Sequence, residues 1–254
     1  MAVDFKKTTI VFCDGACSGN PGRGGWGAVI ATPEGVVREL GGGDLQTTNN
    51  KMELTGAIEA LSAILKGEPE TPEGPVWIYT DSTYVIRGIT QWIWGWMKNG
   101  WKSSEGKDVS NQEEWQRLSR LVGQVKKRNP ITWKYVKGHS GVPGNERCDE
   151  IAVAFSTGKS ANLFYGSLLK YDVAVMDLPP DVPLPEIKQV QGEKKAAFSY
   201  LSLIGSIPMR HASWPECERR VKGQSGAKFK KAMSEAEEAE ILRSWGLDPA
   251  KVKL

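Results

Sequence analysis

The sequence predicts an α/β protein: a mixed β-sheet flanked by helices, followed by a small α+β module. Three observations predict it. Three short runs rich in β-branched residues, joined by Gly/Pro turns, open the chain. Strand-like and helix-like segments alternate after them, and a proline-rich stretch then separates a second, shorter alternation.

Thr9–Cys13, Gly27–Thr32 and Val36–Leu40 read as an antiparallel meander. A helix follows at Met52–Leu65, where Leu54, Ala57, Ile58, Leu61 and Leu65 fall on one face. Val76–Tyr79 is a short strand of buried type, Thr83–Lys98 and Asn111–Lys127 are helical, Ile131–Val136 is a fifth strand and Asn145–Phe155 a last helix. Hairpin strands succeeded by strand and helix alternation imply a mixed sheet with helices on its faces.

Residues 158–175 hold apolar side chains without a clean period, as a tail packed on the first domain could. Pro179, Pro180, Pro183, Pro185 and the polar QVQGEKK run favour extended chain, so about 176–196 reads as a linker. Beyond it, Phe198–Leu203 and Ile207–His211 form a hairpin around Gly205. Ser213 with Glu216, and Ser234 with Glu237, open two capped helices around a strand at Ala227–Lys231. The expected division is thus 1–157, a tail and linker over 158–196, and 197–254.

The 254 residues carry 33 Lys+Arg against 30 Asp+Glu, and 40% are hydrophobic. That composition excludes both wholesale disorder and a polycation. No apolar run approaches the roughly 18 to 20 residues of a membrane span, and MAVDFKKTT lacks a signal-peptide core, so a soluble cytoplasmic protein is expected. Cys13, Cys17, Cys148 and Cys217 form no CxxC pair and read as reduced thiols. With His139 and His211 the only histidines, carboxylates lead as candidates for chemistry. The net charge of +3 lies wholly in residues 197–254, and Arg210–Lys231 alone holds seven basic residues against Glu216 and Glu218.

Asp14 and Asp81 follow predicted strands, Glu53 sits in the first turn of a helix, and Asp149 lies in the last one. Each has a local reading. Asp14 can open a turn, Asn50 and Glu53 fit a capping box, Asp81 can cap the next helix, and Asp149 can be a solvated helix residue. The other reading is convergence, since ligands bind at the carboxyl ends of strands in α/β sheets. Four such acids make a hard oxygen site suited to Mg²⁺ or Mn²⁺. Two ions about 4 Å apart would serve an in-line phosphoryl displacement.

The segments DGACSGNPGRGGWGAVI, TTNNKMELTGAIEAL, YTDSTYVIRGITQWIWGWMKNGW and VKGHSGVPGNERCDEIA together resemble the ordered motifs of ribonuclease H type 1 over about residues 8–156. The resemblance implies a ribonuclease H-like fold with a five-stranded mixed sheet. It also implies metal-dependent endonucleolytic cleavage of RNA paired to DNA, giving 5′-phosphate and 3′-hydroxyl ends. Asp14, Glu53, Asp81 and Asp149 match the metal-binding carboxylates, for two Mg²⁺ with Mn²⁺ as a substitute. His139 matches a mobile-loop histidine that assists proton transfer or product release. Gly15, Ala16, Cys17, Ser18, Asn20, Asn49 and Asn50 are implied substrate contacts, as is Thr83, at a place where many relatives carry Gln.

Trp92, Trp96, Lys98 and Trp101 fall in the family's protruding handle. Met97 and Asn99 stand there where Lys or Arg is common, and the tryptophans could equally be the handle's own core. YLSL, HASWPEC, RRVKGQSGAKFKK and EEAEILRSW resemble the hybrid-binding, viroplasmin-like domain of eukaryotic ribonuclease H, which usually precedes the catalytic domain and here follows it. By that resemblance Trp214 and Phe229 pack on DNA sugars and Lys230 and Lys231 meet phosphates. Arg219, Arg220, Lys222 and Lys228 add salt-sensitive attraction. The bland alternative makes Trp214 and Phe229 core and the charges a solvated face. The expected partner is an RNA/DNA hybrid bound by a monomer, with no membrane. A noncatalytic hybrid-binding protein and a nuclease acting on DNA are the competing functions.

Overall fold

The computed structural model describes residues 7–70, 73–103, 106–186, 197–250 and 252. The chain divides into two compact units between Pro185 and Glu186. Residues 187–196, which contain QVQGEKK, lie outside the described residues.

In the first unit β1 (Thr9–Gly19), β2 (Gly22–Ala31) and β3 (Val36–Thr47) form the antiparallel meander. β4 (Val76–Thr80) adds to β1 in parallel, and β5 (Ile131–Tyr135) adds to β4 in parallel. The sheet order is β5-β4-β1-β2-β3-β6, so the expected five strands become six. The sixth, β6 (Tyr165–Ser167), pairs antiparallel with β3. Three residues are too few for period-2 alternation to show, which is why the sequence reading left this segment without a strand.

Strand β1 shows how the sheet is covered. Val11 and Cys13 face a core shared with α1 (Asn49–Leu65) and α4 (Gln112–Lys126), while Ile10 and Phe12 face a second core beside α5 (Pro143–Ser156). Both faces are dry, so TIVFC is an unbroken apolar run rather than an alternating one. The handle is α2 (Thr83–Arg87), a π-helical turn at Gly88–Trp92 and α3 (Ile93–Lys98), where one continuous helix was expected.

The strands also run further than expected, through the glycines that looked like turns. These glycines let helices touch the sheet. A Cβ on Gly27 would lie 2.4 Å from the Cys148 carbonyl oxygen of α5, and one on Gly15 would lie 2.2 Å from the Glu53 nitrogen of α1.

The segment after α5 belongs to this unit as far as Pro185. Buried Glu39 of β3 holds it: its carboxylate accepts from Arg147 Nε at 2.6 Å, Tyr171 Oη at 2.6 Å and the Phe164 amide at 2.9 Å. Val175 is buried, and Phe164, Leu168, Tyr171, Met176 and Leu178 pack on the second core. The expected linker therefore begins later than residue 176. Residues 179–185 form neither helix nor strand and are pinned by other side chains, Asp181 pairing with Lys134 and the Pro185 carbonyl accepting from Arg87.

The second unit has β7 (Ser199–Ile204) between β8 (Ile207–His211) and β9 (Lys228–Ala232), with α6 (Trp214–Val221) and α7 (Glu235–Ser244). Leu201, Ala232, Ile241 and Leu242 form its small core. Ser234 caps α7 through the Glu237 amide at 3.2 Å, while the Glu237 carboxylate reaches past the cap to accept from the Met233 amide at 2.7 Å, so only the serine half of the expected capping box forms. At α6 neither bond of the box forms: Ser213 makes no side-chain cap, and Glu216 accepts from the Ala212 amide, one residue before the cap. Among the described residues no helix is long and apolar enough to cross a membrane.

Gly27→Ala should push α5 off the sheet, lowering stability by about 1–3 kcal/mol as overpacking does. The urea midpoint should fall, and Asp149 should be displaced from the neighbouring acids.

Candidate active site

Asp14 lies inside β1, opposite Gly27 of β2, and Asp81 follows the end of β4. Glu53 is in the first turns of α1 and Asp149 is midway along α5. All four line one open pocket of about 450 Å³ together with His139, Gly15, Ala16, Cys17 and Asn49. Four acids of separate elements thus converge, which the local readings did not require.

The carboxylates are individually held. Glu53 accepts from Asn49 Nδ2 at 2.9 Å and from Ser82 Oγ at 2.5 Å. Thr48, rather than Asn50, is the N-cap of α1, so the Asn50/Glu53 capping box does not form and Glu53 is free to face the pocket. Ser82 caps α2 through the Val85 amide, the role open to Asp81, so Asp81 too is released. Asp14 accepts from the Gly15 amide at 2.7 Å, and Asp81 from Asn145 Nδ2 at 3.4 Å.

Burial and the charge of Asp81 push the Asp14 carboxyl up to about 8. Glu53 is pushed up to about 7, by burial first and Asp81 next, against the lowering bonds from Ser82 and Asn49. Asp149 is raised by burial and partly brought back by nearby His139. The donor set is all oxygen and fits a hard dication. Among the described residues no three His, Cys, Asp or Glu side chains stand close enough together to hold a metal ion, so the four acids share one pocket without closing into a ligand cluster.

A family model described as RNase H matches residues 6–156, more than half of the chain. This chain belongs to the ribonuclease H family. It is 49% identical over 154 residues to a ribonuclease H of Cyanothece sp., covering 60% of this chain and 92% of that protein. It is 54% identical over 146 residues to one of Rhizobium etli, covering 58% and 89%. Among solved structures, LC9-RNase H1, a type 1 RNase H with the type 2 active-site motif, shares 31% identity at a TM-score of 0.52, covering 65% of this chain and 80% of that one. A second model, described as Ribonuclease H1 N-terminal domain, matches residues 211–240 of the second unit.

The other expected contacts of this ribonuclease H family member scatter. Ser18, Asn20 and Asn50 are exposed, and Asn20 Oδ1 accepts from the Asn49 amide at 3.4 Å. Thr83, Trp92, Trp96, Lys98 and Trp101 do not line the pocket. Trp92 and Trp96 sit 5.7 Å apart in a chain of rings that continues to Trp115, so they build the handle, and the exposed tryptophan is Trp94. Trp101 is half-buried against the first core, and Lys98 is exposed.

In the second unit the Trp214 ring lies tilted against those of Tyr200 and half-exposed Phe229, with centroids 5.9 and 5.4 Å away. Strand alternation puts Phe229 and Lys231 on one face and Lys228 and Lys230 on the other. Arg219 and Lys222 are exposed, whereas Arg220 is engaged inside the unit by Ser202 Oγ at 2.8 Å and the Ile207 carbonyl at 3.0 Å. Sequence reasoning missed Ser82 and Asn145 as carboxylate partners. Asn145 precedes Asp149 by four residues, one helical turn on the same face, and that spacing was the available signal.

Because folded Asp14 holds its proton to about 8 while an unfolded Asp releases it near 4, metal-free stability should fall as pH rises between those values. Asp14→Asn should flatten that slope and raise the melting temperature at pH 8 by about 2–6 °C, read from thermal melts in chelator. Mg²⁺ should raise the wild-type value as its concentration rises.

Proposed function

We propose that the chain hydrolyses the RNA strand of RNA/DNA hybrids at this pocket, leaving 5′-phosphate and 3′-hydroxyl ends, as a cytoplasmic monomer. The observation that carries the reading is the convergence of Asp14, Glu53, Asp81 and Asp149 on one open, polar cavity with a histidine at its rim. Two Mg²⁺, or Mn²⁺ in their place, would bind these four carboxylates and supply the Lewis acidity that makes water nucleophilic and steadies the departing oxygen. The chain's own groups prepare that site. Asn49 and Ser82 tie both oxygens of Glu53, the Gly15 amide orients Asp14, and Asn145 orients Asp81.

His139 stands exposed on a left-handed turn at φ 50° and faces the same pocket, so it can exchange a proton with the leaving group or with bulk water. Gly15, Ala16, Cys17, Ser18, Asn20, Asn49 and Asn50 give the hairpin and helix start small polar and backbone groups. Such groups suit the 2′-hydroxyls of a wide, shallow minor groove. Thr83 is a shorter donor at the adjoining helix, and Lys98 with the rim of Trp101 would meet the DNA strand.

The second unit would tether the hybrid without sequence preference. Trp214 and Phe229 offer ring faces to sugars, Lys231 shares their face, and Arg219, Lys222, Lys228 and Lys230 add phosphate attraction. Linkage would make the second contact intramolecular and raise its effective concentration.

With Mg²⁺, the protein should cleave RNA/DNA but not DNA/DNA duplexes, and Asp14→Asn should lose at least about 10³-fold in rate while still binding hybrid. An active Asp14→Asn enzyme, or cleavage of both duplexes alike, would refute the assignment. Removing residues 190–254 should weaken hybrid affinity and lower the slope of log affinity against log salt, leaving cleavage chemistry intact.

A further inference from the structure

The family match ends at residue 156, yet the first unit continues to Pro185 as a strap across its back. Its anchors are spaced along the whole unit. The strap begins as β6 on β3, is clamped by Tyr171 to Glu39, buries Val175 beside Val136, Val142 and Cys148, pairs Asp181 with Lys134, and ends with the Pro185 carbonyl on Arg87 of α2.

Between these anchors it meets one segment with a separate importance. Lys137, Ser140 and Val142 form one wall of a cavity of about 370 Å³ whose other wall is Leu178, Pro179 and Val182 of the strap. The opposite side of the same loop, Gly138 and His139, lines the carboxylate pocket. A Cβ on Gly138 would lie 2.5 Å from Asp81 Oδ2, so the loop has no slack toward the acids. It is a single layer of chain between two cavities, with left-handed backbone at His139 and Gly141. Its internal bonds are few: Ser140 Oγ to the Lys137 carbonyl, and the Gly141 amide to Glu146 at 3.0 Å. What keeps His139 at the pocket must therefore come partly from behind.

We propose that Leu178 and Val182 are positioning residues, through which the strap holds the His139 loop against the carboxylate pocket. They touch no reacting group, and they act by limiting how far the loop can retreat. Displacing a catalytic group by about 1 Å can cost up to 10²-fold in rate, so a partial loosening should be visible in turnover. The turnover arm of the test rests on the hydrolase reading of the pocket; the exchange arm does not.

Leu178→Ala and Val182→Ala should each quicken amide hydrogen exchange at residues 137–143 in the metal-free protein by several-fold, with exchange in α1 and β1 unchanged. With Mg²⁺ and a hybrid substrate, kcat should fall about 3- to 10-fold, with KM within about twofold. In a His139→Ala background the same substitutions should change kcat less than about 1.5-fold, because the group they position is gone. Leu169→Ala, at a 97% exposed strap residue, should do none of this. Val182 is 45% exposed and guards against a folding defect in the Leu178 variant. Unchanged loop exchange, or kcat losses that add fully to that of His139→Ala, would overturn the proposal. If the wild type cleaves nothing, the hydrolase reading fails and the exchange measurement still decides the strap.

Discussion

Four carboxylates pressed into one pocket repel one another, and most of the first unit is arranged to hold them there. Burial first, and the charge of Asp81 after it, keep the Asp14, Glu53 and Asp149 carboxyls raised. Holding them takes rigid elements in close contact, and that explains the glycines. α1 can bring Glu53 to β1 only where Gly15 offers no side chain, and α5 can bring Asp149 to β2 only where Gly27 offers none. The glycines of the meander are therefore packing residues whose absent side chains set the spacing between acids. The two dry cores on either face of β1 supply the cohesion that opposes the repulsion.

Hydrogen bonding completes the arrangement. A helix start needs a cap, and an acid just before it is a natural one, its carboxylate accepting from the first backbone amides. Here Thr48 and Ser82 take both capping roles, so Glu53 and Asp81 keep their oxygens for the pocket. Ser82 does two things at once, accepting from the Val85 amide and donating to Glu53. A change there would loosen a helix start and a carboxylate together, which makes effects at Ser82 hard to separate by single substitutions.

Much of this could be read from residues alone, because the long elements carry strong periodic signals. The α1 face at Leu54, Ala57, Ile58 and Leu61 and the apolar β1 run identified the layers, and Asp14 and Asp81 stood after expected strands, at the edge where α/β sheets place ligands. What escaped was what periodicity does not encode. β6 is too short to alternate, the handle's π-turn has no sequence signature among its tryptophans, and Glu39 looked like any charged strand residue until Arg147 and Tyr171 reached it. The prolines after residue 178 signalled chain without helix or strand but said nothing of whether that chain was docked. Partners far apart in sequence decided it: Lys134 for Asp181 and Arg87 for Pro185.

The small net charge takes on a specific meaning from the same distribution. The first unit concentrates negative charge in its pocket, and its handle exposes Trp94 and Met97 where cations could have stood, so its attraction for a polyanion depends on local contacts rather than a long-range field. The second unit carries the excess positive charge, but not all of it is available. Arg220 is tied to Ser202 and Ile207, and Arg210 to buried Glu238 through a bond of 2.8 Å. Those two arginines stabilise a domain whose core is only a few side chains, and Arg219, Lys222, Lys228, Lys230 and Lys231 remain exposed. A module this small thus divides its cations between folding and binding. Its salt dependence should follow the exposed five rather than the seven basic residues counted along Arg210–Lys231, since only cations free to meet phosphate release counterions on binding.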